Sequence, residues 1–185
     1  MFLLAFAVTL FALAHLIPAM PSLKQRLQAR LGAVYGAAFG VAALISVGLI
    51  IISWRMAEFV PVYEPPSWGR IVTFTLVLVA FLCLGIFIFR GLLRQKLRSP
   101  LSIAVMFWGV GHLFANGDLA SLILFGGMIA YGLAHFTIGA LNGYRPSPEV
   151  RDGHDALSLL GGAALYGLMI QLHGTIIGVP AFQLP

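Results

Sequence analysis

The stretch RSPLSIAVMFWGVGHLFANGD, residues 98–118, decides the fold class. Ser99 and Pro100 read as a helix start. Serine suits the N-cap, and proline at the first helical position gives up an N–H that would have no intrahelical partner. Residues 101–115 carry no Asp, Glu, Lys or Arg, so the segment is an apolar helix on the scale of the roughly 30 Å hydrocarbon core of a bilayer. Asn116-Gly117-Asp118 ends it as a tight turn, with Asp118 placed to cap the next helix. His112, an ionisable side chain at membrane depth, needs an explanation.

Outward from this stretch the same kind of run recurs, giving six segments at 1–19, 31–54, 69–90, 100–115, 118–141 and 155–178. The chain has 185 residues, of which 60% are hydrophobic and 9% charged, with a mean hydropathy of +0.97. No soluble core of this size absorbs that balance. Alternating ten-residue strands of a barrel are absent. The expected fold is therefore all-α: one domain over residues 1–185, a polytopic bundle of about six transmembrane helices in a lipid bilayer. MFLLAFAVTLFALAH, residues 1–15, resembles a secretory signal at Ala12-Leu13-Ala14 but has no basic leader, and is read as a retained first membrane helix. Ser67 is a candidate cap for the third segment, and Asn142-Gly143 closes the fifth with Gly143 at C′. Cys83 lies inside an apolar run with no CxxC motif, as a small buried hydrophobe does.

Charge sets the expected orientation. Lys24, Arg26 and Arg30 fall between the first two segments, Arg90, Arg94, Lys96 and Arg98 between the third and fourth, and Arg145 and Arg151 between the last two. The second connection holds Arg55 and Arg70 against Glu58 and Glu64, and the fourth holds no cation. The first, third and fifth connections are thus expected in the cytoplasm and both termini outside. The same cations, facing anionic headgroups, account for the net charge of +5 without nucleic acid. Trp54, Tyr63 and Trp68 suit an outer aromatic belt.

His15, His112 and His135 lie at helical depths of about 14, 21 and 15 Å from the basic level, whereas His173, about 27 Å past Asp155, is expected near the outer surface. The central three share a prefix, FALAH, WGVGH and YGLAH: an aromatic residue, a small one, any residue, a small one, then histidine. On a helix, Phe11, Trp108 and Tyr131 fall on the histidine face, and small residues such as Gly109 and Gly111 flank it as a shallow recess. Small residues also serve close helix packing, and a membrane histidine can simply bond to a neighbour. Zinc would want four ligands, and no carboxylate stands at this depth. A haem needs only one or two imidazoles in apolar surroundings, with Arg26, Arg98 and Arg145 available for its propionates.

The run 98–118, then AHFTIGALNGYRP, LGAVYGAAFG and His15 before a basic segment, resembles the NnrU family of bacterial membrane proteins associated with denitrification, and more distantly the plant 15-cis-zeta-carotene isomerase. The resemblance covers most of the chain and implies a b-type haem with histidine axial ligands. Carried over residue by residue, those ligands match His15 and His112, with His135 as the alternative ligand or as the partner that orients an imidazole. Gly109 stands where the isomerase has a cysteine, so thiolate ligation does not carry over. Ser99 likewise stands where the family has a histidine. Helical depth pairs His15 with His135 rather than with His112.

Three functions follow as expectations. The first is a haem b membrane protein of nitrogen-oxide metabolism, passing electrons or supporting nitric oxide reductase or another respiratory membrane complex. The second is a haem-dependent cis-trans isomerase of a hydrophobic polyene, with Phe107, Phe114, Phe125 and Phe136 lining a cleft. The third is a non-catalytic subunit or assembly factor, in which the histidines only join helices.

Overall fold

The computed structural model describes residues 1–143 and 149–182. Arg145 lies outside them. The described residues form helices without a strand: α1 (Phe2–Leu16), α2 (Pro21–Leu31), α3 (Tyr35–Arg55), α4 (Gly69–Phe89), α5 (Leu92–Leu97), α6 (Pro100–Leu113), α7 (Leu119–Ser121), α8 (Gly127–Leu141) and α9 (His154–Ile177). A π-helical turn, Leu122–Gly126, joins α7 to α8 into one span, Leu119–Leu141. Five stretches are long and apolar enough to cross a membrane: Phe2–Ala19, Pro21–Arg55, Gly69–Phe89, Leu119–Leu141 and His154–Ile177. The chain is a multi-pass membrane protein. The sixth apolar helix, α6, has 14 residues and reaches about 21 Å, short of a full hydrocarbon crossing.

Neighbour relations place the helices in the order α3, α1, α8, α6, α4, α9. The three basic connections meet at one end: the Asn142 amide reaches the Ala19 carbonyl at 3.4 Å, and the Arg151 N–H donates to the Arg90 carbonyl at 3.0 Å. His154 Nδ1 also donates to Phe89 O. Two local features differ from the sequence expectation. Residues 21–31 form α2, because Lys, Gln, Arg, Leu and Ala are good helix formers and Pro21 occupies the first turn. The cap of α4 is Trp68, one residue after Ser67, and makes no side-chain bond to the helix.

At the other end, α6 stops early and a non-helical strap covers it. Residues 60–63 bond to 117–119, with Val62 and Tyr63 N–H groups donating to Gly117 O and Leu119 N–H to Val60 O. The Tyr63 hydroxyl donates to the carbonyls of Leu113 and Asn116, and Thr73 Oγ1 donates to Gly111 O at 2.7 Å. The carbonyls that a helix leaves unbonded at its C-terminus are therefore satisfied, which their apolar setting demands. Burial and the Asp118 carboxylate push the Tyr63 phenol above its ordinary range, which keeps it a neutral donor. A Cβ on Gly117 or Gly69 would stand 1.9 Å from Tyr63 O or Phe114 O, so glycine alone allows the strap to lie this close.

Asp118 is buried and caps α7, accepting from Ser121 N at 3.0 Å and from Ser121 Oγ at 2.5 Å. Asp118→Ala is expected to lower stability by about 2 kcal/mol, read as an earlier thermal transition in detergent.

Candidate functional site: two histidine pairs

α1 and α8 carry the first pair. His15 and His135 line one cavity of about 180 Å³ together with Tyr131, Phe39, Ser102, Arg94 and Arg98. Both imidazoles flank Tyr131, with ring centroids 6.2 Å (His15) and 5.9 Å (His135) from it. Phe11 stacks on His15 at 3.9 Å, and His15 Nδ1 donates to Phe11 O at 2.9 Å. A carbonyl only accepts, so the proton sits on Nδ1 and the Nε2 lone pair is left for a ligand. His135 Nδ1 shares a 2.8 Å bond with Ser102 Oγ on α6. On the rim, the Arg94 guanidinium lies 4.8 Å over the Phe87 ring.

Arg98 turns the chain from α5 into α6 at φ 58°, ψ −52°, a backbone region that side chains other than glycine adopt at a cost of about 1–3 kcal/mol. The strain holds a guanidinium at the cavity mouth. Arg98→Gly is expected to raise the melting temperature while weakening any carboxylate-bearing ligand of the cavity, measured by thermal unfolding and by ligand titration.

The second pair lies at the opposite end. His112 follows Pro100 by twelve residues on α6, about 18 Å along the helix. Its ring stacks on Phe125 of the π-helical turn, centroids 4.5 Å apart and planes at 20°, with Trp108 edge-on to Phe125 at 4.9 Å. On α9, His173 lies 6.5 Å from His112 with the planes at 15°. Phe125 is buried within this π-helical turn, a feature frequent at functional sites.

The structure thus brings His15 together with His135, as depth implied, and His112 together with His173; His112 is not among the residues lining the His15 cavity. His173 lacks the shared prefix and did not count as a site residue. Its depth on the outer half was the signal that could have found it. Phe11 and Tyr131 fall on the histidine face of the first cavity, Trp108 on that of the second pair. Gly109 and Gly111 face neighbouring helices: a Cβ would stand 2.7 Å from Ile129 Cγ1 and 2.9 Å from Phe125 O at Gly109, and 3.1 Å from Leu76 Cβ at Gly111. They permit close packing of α6. Arg26 is exposed on α2. Phe107 and Phe136 are exposed, Phe114 packs on Trp68, and Phe125 is buried. Among the described residues, no three His, Cys, Asp or Glu gather into a metal cluster, and Cys83 is buried and unpaired with another cysteine.

Fold and site together define a multi-pass helical membrane protein with paired intramembrane histidines, one pair beneath an arginine rim. The family described as NnrU protein matches residues 3–181. The chain belongs to the NnrU family, and membership suggests a membrane protein related to denitrification. No curated protein and no solved structure matches it.

Proposed function

We propose that the chain binds haem b within the bacterial inner membrane and serves nitrogen-oxide metabolism, by passing electrons or by supporting nitric oxide reductase or a similar respiratory complex. The observation that carries this reading is the cavity that His15 and His135 line together with Arg94 and Arg98. Two imidazoles, apolar walls and a cationic rim are the donor set that a haem with two propionates requires. The cavity is smaller than the roughly 300–1,000 Å³ of pockets that enclose a drug-sized ligand, so it supports the ligated centre and one edge of a macrocycle and leaves the remainder to lipid.

His15 and His135 would hold the iron. Arg98, with Arg94, would bind the carboxylates. A haem held by both imidazoles would supply one-electron transfer. The protein's own part is to orient the imidazoles: the Phe11 carbonyl fixes the His15 tautomer, Phe11 fixes its plane, and Ser102 positions His135. Such outer partners are worth roughly 10–100-fold in metal affinity.

Purified protein, oxidised and then reduced, tests the reading by absorption. A Soret band with sharp reduced α and β bands is the expected result. Its absence after haem supplementation overturns it.

A further inference from the structure

The second histidine pair suggests a different ligand. The geometry points to a copper(I) site held by His112 and His173, at the end of the bundle away from the arginine rim. Their centroid separation is 6.5 Å. Two imidazoles in a direct N–H···N bond would bring their centroids to about 5 Å. Two imidazoles joined through one metal, with metal–nitrogen bonds of about 2 Å, bring them to about 6 Å.

Both rings are prepared as ligands. His112 Nδ1 donates to Trp108 O at 2.8 Å, and His173 Nδ1 donates to Val179 O. Each ring therefore keeps its proton on Nδ1 and a lone pair on Nε2, the tautomer that backbone carbonyls impose on metal-bound histidines. The C-terminal turn that supplies Val179 depends on Gly178 at φ 93°, so the His173 tautomer follows from a glycine five residues away. Phe125 stacks on the His112 ring, and the Asn116 amide, bonded to His112 O at 2.8 Å, secures the end of α6.

The ion's charge follows from its surroundings. Among the described residues no carboxylate or thiolate joins the pair in a metal cluster, and the Arg55 guanidinium lies 3.7 Å from where a Gly178 Cβ would stand. A divalent ion with only two neutral ligands would keep its full charge close to that guanidinium, where like-charge repulsion opposes it. Copper(I) carries a single charge, and imidazole is a donor that copper accepts.

Full-length protein in detergent is titrated with copper(I) against a chromogenic chelator. One copper per chain is expected, with affinity falling at least 100-fold in His112→Ala and His173→Ala and unchanged in His15→Ala and His135→Ala. X-ray absorption should report two nitrogen neighbours at about 2 Å. His173→Phe retains an aromatic ring and must also lose copper while melting near the parent temperature.

Failure to take up stoichiometric copper, as for a bare ring stack or a water bridge, overturns the inference. So does uptake that survives His173→Ala. Loss of a Soret band in the His112 and His173 variants would assign the pair to haem and overturn it equally. The readings separate, because a Soret band that depends on His15 and His135 stands or falls independently of copper.

Discussion

Gly85→Leu should prevent accumulation of folded protein, and Gly85→Ala should lower its stability by about 3 kcal/mol. A Cβ at Gly85 on α4 would stand 2.1 Å from Ser158 O and 2.8 Å from Gly162 N on α9. Those neighbours are backbone, which cannot step aside as a flexible side chain can. Gly162 answers from the other side, where a Cβ would meet Phe81 O at 2.5 Å. The α4–α9 interface is thus a close backbone approach through small residues, the arrangement that stabilises helices in lipid, where hydrophobic attraction between them is absent. Thermal unfolding in detergent checks this. An unchanged melting temperature for Gly85→Ala would mean that α4 and α9 stand further apart than described.

If the proposed haem is held by both rings, His15→Ala and His135→Ala should each change its absorption spectrum, and the double variant should lose haem altogether. The argument rests on both rings lining one cavity, each within about 6 Å of Tyr131. Ser102→Ala should weaken haem retention by about 10–100-fold without removing the Soret band, because it frees the His135 ring to turn. His112→Ala should leave the spectrum intact. A spectrum altered by His112→Ala and indifferent to His135→Ala would return the ligand set to His15 and His112.

Much of the chain's organisation is readable from local chemistry. Pro100 does begin α6, with Ser99 at the N-cap position but making no side-chain capping bond, Asp118 does cap the following helix, and Gly143 takes φ 65° just past Asn142. These signals are short in range and need no knowledge of the packing. α2 was equally legible by propensity, but its cations marked it as a connection. What sequence leaves open is lateral position. Helical rise gives depth and therefore groups His15 with His135, yet it does not say which helices are neighbours. The glycines around His112 illustrate this: recess and packing contact have the same sequence, and Ile129 and Leu76 decide between them. His173 was hidden for a related reason, since its partner lies on a helix that no sequence spacing connects to α9.

The spatial order α3, α1, α8, α6, α4, α9 has a temporal consequence. α1 and α3 can pair early during synthesis, and α4 can pair with α6, but α8 must later slide between α1 and α6. Until it does, His15 waits without its opposite imidazole. Any group held by both rings is therefore a late checkpoint of biogenesis: a nascent chain halted before Gly127 would present two finished hairpins and no complete site.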